Sequence, residues 1–276
     1  MKRLAIAVIH GLGSDEEFYS VELKHRITEE YVKAAEGRLE DELLFHEIYW
    51  GDLLKEELDS FRTRANYKDD LAYQSLRQIM TDTQALSLLY KPGTELYESI
   101  NNRIKDGLRK FASHRRVNTE ETPLVILAHS YGGVMMSHYI REMQRSASKL
   151  SNFETMKTLA GYITFGNPMG IYSLESANST LGKSCNIVGE ALNEDLQKRA
   201  RWYNFYDKDD IIAYPLKGLS EEFNANVHAD FEINVGSAAT SWNPACHTGY
   251  WEDKDFYRPV ADFIGELRAP HSFWQS

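Results

Sequence analysis

The chain has 276 residues, enough for a sizeable core, and its 42% hydrophobic and 26% charged residues are typical of a soluble globular protein. The formal net charge of −10 disfavours nucleic-acid binding, because a phosphate backbone is bound mainly by clustered Lys and Arg. No apolar run approaches the eighteen or so residues of a membrane span. The apolar run at 4–9 is too short for a secretory signal, so we expect a cytoplasmic protein without an integral membrane segment.

Apolar runs that alternate with helical periodicity predict the order of the elements. Strands are predicted at 4–9, 43–50, 124–128, 159–165 and 202–206, with a sixth expected at 230–235. Helices are predicted at 16–38, 134–145 and 255–267. Strands that alternate with helices predict an α/β protein, with a mainly parallel central sheet and helices on both faces. No linker is evident, so we expect 1–276 to form a single domain.

The segment 52–113 differs from the rest of the chain. It has helical periodicity and no convincing strand pattern, and it is interrupted at Lys91-Pro92-Gly93. We expect two to four helices there, more than one crossover between strands requires. The surplus predicts a helical insertion that can cap a site.

The stretch Ala128-His129-Ser130-Tyr131-Gly132 joins the third strand to the helix behind it. A serine in a sharp strand-to-helix turn needs small residues two positions to either side, and Ala128 and Gly132 meet that need. Such a turn exposes the hydroxyl as a nucleophile, although a serine that only caps the helix is the alternative. Ser130 is therefore the candidate nucleophile.

A serine nucleophile needs a base, and the base needs an acid to orient it. His247 lies after the last strand in a loop of small and aromatic residues, and it is the candidate base. The acid is expected from the acidic run after the fifth strand. Asp210 is the first choice because an apolar segment follows it, and Asp207 is the second.

The loop His10-Gly11-Leu12-Gly13 follows the first strand. Its glycines allow close approach to the serine, so the amide of Leu12, with that of Tyr131, can bind a developing oxyanion. His10, Gly11 and His129 are expected to line the site. A phosphate cradle is the alternative, but neither nucleotide-binding glycine motif is present.

The order of the HG loop, the A-H-S-Y-G turn, the later aspartate and the last histidine resembles the α/β-hydrolase superfamily, in particular its lipase-like and esterase-like serine hydrolases. The resemblance covers most of the chain except 52–113. It implies Ser130 as nucleophile, Asp210 as acid, His247 as base, and Leu12 and Tyr131 as oxyanion donors. Two features depart from the superfamily: Ala128 stands where many members have glycine, and we expect the two leading strands to be absent.

These observations predict a serine hydrolase acting on a small-molecule carboxylic ester or thioester, with no cofactor, no metal and no nucleic acid. The oligomeric state is not predicted. Aromatic residues, among them Trp242, are candidates for an acyl pocket, although aromatics are more often core. A catalytically inactive hydrolase-fold protein that binds or scaffolds is the alternative. A nucleotide-binding α/β protein is disfavoured by the glycine pattern, and no short His or Cys spacing predicts a metal site.

Overall fold

The computed structural model describes residues 3–12, 17–68, 74–146, 149–174, 183–236 and 244–268. In these ranges six strands form one sheet in the spatial order β2-β1-β3-β4-β5-β6, and every neighbouring pair is parallel. The strands are β1 Leu4–Ile9, β2 Leu43–Ile48, β3 Leu124–His129, β4 Leu159–Phe165, β5 Arg201–Asp207 and β6 Ala229–Ile233. The predicted α/β class with a mainly parallel sheet is confirmed.

Helices cover both faces of the sheet, because its central strands are apolar on both sides. In β1 the odd-numbered residues are buried in a core on one face, and the even-numbered residues in a core on the other. The helices are α1 Val21–Lys33, α2 Asp52–Arg64, α3 Gln74–Leu89, α4 Glu95–Ala112, α5 Tyr131–Arg145, α6 Met169–Tyr172, α7 Glu194–Arg199, α8 Glu221–Asn226 and α9 Lys254–Arg268. No helix within the described ranges is long and apolar enough to cross a membrane.

The register of the sheet brings the ends of its central strands level. Ile9 pairs with Ala128, His129 pairs with Phe165, and Phe165 pairs with Phe205. The residues that follow β1, β3, β4 and β5 therefore meet at one edge of the sheet. In parallel sheets this carboxyl edge is where sites form.

Several boundaries differ from the sequence predictions. The helix predicted at 16–38 spans only Val21–Lys33. It begins late because the turn before it is hydrogen-bonded to β2. There the amide and hydroxyl of Ser20 donate to Glu47 Oε1 at 3.1 and 2.6 Å. The helix predicted from 134 begins at Tyr131. The predicted insertion at 52–113 contains three helices in its described part, α2, α3 and α4.

Candidate active site

A single serine separates β3 from α5. Ser130 has φ 52° and ψ −129°, a conformation that costs a non-glycine residue about 1–3 kcal/mol. Its amide donates to the carbonyl of Phe165 at 2.9 Å, and its carbonyl accepts from the amide of Gly133 at 3.0 Å. The neighbouring strand and the following helix therefore hold the serine in a strained turn.

Glycines make room for this turn. A Cβ on Gly11 would lie 2.3 Å from Ser130 Cβ and 2.8 Å from its Oγ. A Cβ on Gly132 would lie 2.6 Å from the carbonyl oxygen of His10. All three distances are shorter than any ordinary carbon contact. The end of β1 and the strand-to-helix turn at Ser130, here called the elbow, can therefore pack together only because these two residues lack side chains.

The structure brings Ser130, His247 and Asp210 together, although they are far apart in the chain. His247 Nε2 lies 3.0 Å from Ser130 Oγ, and His247 Nδ1 lies 2.8 Å from Asp210 Oδ2. The carboxylate accepts the Nδ1 proton, which leaves Nε2 to accept from the serine hydroxyl. Their exposed fractions are only 2%, 4% and 3%, so water competes little for these bonds. This arrangement can activate a hydroxyl as a nucleophile.

Asp207, the second-choice acid, has a different position. Its Oδ1 accepts from the amide of Asp209 at 2.8 Å, and its Oδ2 accepts from the amide of Val235 at 2.7 Å. Its carbonyl also accepts from the amide of Asp210 at 3.1 Å. Asp207 therefore shapes the loop after β5, and Asp210 is the carboxylate that contacts the imidazole.

The other predicted site residues lie on the segments that adjoin Ser130 in the chain or pack against it. Tyr131 is the first residue of α5, and Leu12 follows Gly11, whose backbone lies against the serine. The His10 ring donates from Nδ1 to the carbonyl of Gly11 at 2.5 Å and accepts the amide of Trp50 at Nε2, at 3.1 Å. Burial lowers the pKa of His10 to about 4, so this ring is neutral at pH 7 and holds the loop after β1.

His129 supports His247, the candidate base, through the backbone. Its Nε2 donates to the carbonyl of His247 at 2.9 Å, and the two rings lie 4.9 Å apart. Burial, followed by the neighbouring His247, holds the pKa of His129 well below its usual range. Because its Nε2 is hydrogen-bonded to this carbonyl, the neutral ring anchors the loop that carries His247.

One residue at the site, Tyr250, is not among those predicted from the sequence. Its hydroxyl donates to Asp210 Oδ2 at 3.0 Å and accepts the amide of Asp207 at 2.8 Å. Tyr250 lies three residues after His247 in the 3₁₀ segment Pro244–Trp251, where residues three apart share a face. The spacing of three residues between His247 and Tyr250 could have indicated that they share a face, but only if the segment were known to be a 3₁₀ helix.

Helix α3, which belongs to the segment 52–113, lies next to the candidate active site. Helix α3 packs against the segment Pro244–Trp251 that carries His247. A cavity of about 60 Å³ lies between the loop after β1 and helices α2 and α3, with Leu12, Trp50 and Arg62 in its walls. Trp242, the aromatic residue named as a candidate for the acyl pocket, lies outside the described residues.

A scan against models of known protein families finds no match for this chain. A search among curated proteins finds no match either. Among the residues that the structure describes, no group of three or more His, Cys, Asp or Glu side chains is placed to hold a metal ion. The geometry of the site is therefore the basis for inferring a function.

Proposed function

We propose that this protein is a serine hydrolase of the α/β-hydrolase superfamily that cleaves a carboxylic ester or thioester through an acyl-enzyme. The observation that carries the proposal is the continuous line of hydrogen bonds from Ser130 through His247 to Asp210. A serine that only capped α5 would need neither bond, and Ser130 makes no side-chain cap bond to that helix. The strained turn and the chain order of serine, aspartate and histidine also support this superfamily.

The chemistry follows from the roles of the three side chains. Ser130 Oγ attacks the acyl carbon while His247 Nε2 takes its proton, and the leaving alcohol or thiol then takes that proton from Nε2. A water that His247 deprotonates cleaves the acyl-enzyme and regenerates the serine. Asp210 holds the Nδ1 proton and stabilises the imidazolium. The amides of Leu12 and Tyr131 are the proposed oxyanion donors, each worth about a hundredfold in rate.

The first test is covalent labelling with a fluorophosphonate, read by intact mass and peptide mapping. We expect one adduct on Ser130, since the probe reacts only with an activated serine. A series of p-nitrophenyl esters of increasing chain length then defines the preferred acyl group. Ser130→Ala should abolish both labelling and turnover while the protein remains folded.

Ser137 is the matched control, because it is a second buried serine in the helix that begins at the elbow. Its hydroxyl bonds to the carbonyl of Val134 at 3.3 Å, so Ser137→Ala should keep the adduct and the activity. A folded wild-type protein that gives no adduct would contradict the proposal. That result would favour the alternative, a catalytically inactive protein of the same fold that binds or scaffolds.

A further inference from the structure

The acid of the site has two donors on one oxygen. Asp210 Oδ2 accepts from His247 Nδ1 at 2.8 Å and from the Tyr250 hydroxyl at 3.0 Å, while Oδ1 accepts the amide of Ile212 at 3.2 Å. The Tyr250 side chain is fully buried. A base oriented by an aspartate needs only the first of these bonds, so the tyrosine is an additional feature that the mechanism leaves unexplained.

The direction of the tyrosine bond is fixed by its surroundings. The Tyr250 oxygen accepts the amide proton of Asp207 at 2.8 Å, so its own single proton is directed to the carboxylate. Burial and the negative charge of Asp210 hold the pKa of Tyr250 well above its usual range. The phenol therefore remains a neutral donor over the whole pH range in which a histidine titrates.

Packing fixes the ring as well as the hydroxyl. Gly166, at the end of β4, has φ +58°, and a Cβ there would lie 3.0 Å from the Tyr250 ring and 3.3 Å from the His247 ring. On its other sides the Tyr250 ring meets those of Phe165 and Phe256, at centroid distances of 6.0 and 6.4 Å. The packing of the Tyr250 ring against these neighbours therefore keeps its hydroxyl directed at Asp210.

A donor that shares the carboxylate oxygen changes what the imidazole experiences. Hydrogen bonds to a carboxylate stabilise its charged form and reduce the negative charge available to other partners. Without the phenol, Asp210 would hold the His247 proton more strongly, and a base that stays protonated cannot accept the proton of Ser130. We propose that Tyr250 is a positioning residue that, through Asp210, lowers the proton affinity of His247. This inference rests on the proposed function.

Other ionisable groups lie near His247 and Asp210, and a substitution of Tyr250 leaves all of them in place. They are Asp207 and Asp209 after β5, Cys246 beside the base, and His129 and His10 at the ends of β3 and β1. Burial raises the pKa of Cys246 to about 12 and lowers the pKa values of both histidines, so these three groups stay neutral near pH 7. A difference between variants therefore reports on the bond between Tyr250 and Asp210.

The test is the rate of fluorophosphonate labelling of Ser130 measured against pH, for wild type, Tyr250→Phe and Tyr31→Phe. Tyr31 is the matched control because it is also fully buried, and its hydroxyl likewise donates to a carboxylate, Glu42 Oε2, at 2.6 Å. In Tyr250→Phe we expect the midpoint, the pH at which the labelling rate is half-maximal, to rise by about 0.5 to 1 pH unit. In Tyr31→Phe we expect no movement.

A lower plateau with an unchanged midpoint, or a downward shift, would overturn the inference and leave the proposed function standing. A wild-type protein without any Ser130 adduct would instead overturn the proposed function. If Tyr250→Phe does not fold, replacement of Tyr250 by 3-fluorotyrosine keeps the hydroxyl and strengthens it as a donor. We then expect a downward shift of the midpoint, and an unchanged or raised midpoint would overturn the inference.

Discussion

Gly11 gives the sharpest steric test of the site, because its backbone φ is ordinary and only its missing side chain matters. In Gly11→Ala the new Cβ would lie 2.3 Å from Ser130 Cβ, and the strained elbow cannot move without losing its bonds to β4 and α5. We expect labelling of Ser130 to slow by about a hundredfold, which is typical of a displacement of about 1 Å. We also expect a loss of about 1–3 kcal/mol in the free energy of unfolding.

Gly218→Ala is the matched control. Gly218 also has an ordinary φ, and a Cβ there would meet nothing within 4 Å. Labelling and stability should match those of the wild type. Equal labelling rates in the two variants would show that β1 and the elbow are not as closely packed as the structure describes.

The chemistry of single residues explains which parts of the site the sequence could predict. Ser130 and His247 were predictable because distinctive side chains stand next to strand ends and small residues. The sequence distinguishes Asp210 from Asp207 less clearly, since both lie at the end of β5 or just after it. Only the hydrogen bonds of the folded loop show that Asp210 contacts His247. Tyr250 was not predictable, because a phenol among aromatics indicates core until the turn that aims its hydroxyl is known.

At the scale of elements, continuous apolar runs predicted the strands well. Every residue of β1, β3 and β4 is buried, as expected for parallel strands that are covered on both faces. Helix ends were predicted less well. Hydrogen bonds from Ser20 to β2 set the residue at which α1 begins, and the sequence pattern does not show them. The helices α6, α7 and α8 are too short to show a helical period.

An ion pair joins two helices of the predicted insertion. Arg62 of α2 donates to both oxygens of Asp82 of α3, at 2.9 and 2.7 Å, and Asp82 is only 3% exposed. In Arg62→Met the carboxylate keeps its burial and loses the guanidinium. We expect the free energy of unfolding in urea to fall by about 2 kcal/mol, less than for a fully buried pair because the Arg62 side chain is 25% exposed.

The double variant Arg62→Met, Asp82→Leu should recover most of that loss, because a buried pair replaced by apolar residues leaves no buried charge behind. Arg26→Met is the control, since Arg26 pairs with Glu22 at 2.8 Å with both side chains nearly half exposed. It should leave the urea midpoint unchanged. Equal losses in Arg62→Met and Arg26→Met would rule out a structural role for the buried pair.

For the molecule as a whole, buried histidines determine how stability depends on pH. His10, His129 and His138 are 0%, 3% and 9% exposed. Burial lowers the pKa of His10 and of His138 to about 4, and that of His129 well below its usual value. In the unfolded chain each titrates near its usual value of about 6.5. Their contribution to stability is therefore present above pH 6.5 and is lost as the pH falls toward 4.

Between pH 7.5 and 5.5 we expect the free energy of unfolding in urea to fall by about 1.3 kcal/mol for each of these three histidines, about 4 kcal/mol in total, because unfolding then takes up protons that the folded state excludes. Carboxylates titrate at lower pH, so this window belongs to the histidines. His138→Gln keeps an acceptor for the Tyr97 hydroxyl, now 2.7 Å from His138 Nδ1, and should remove about a third of the loss. His25→Gln, at an exposed position on α1, should change nothing. A free energy of unfolding that stayed constant across this window would mean that these rings gain protons without unfolding, and the cores around β1 and α5 would then admit water.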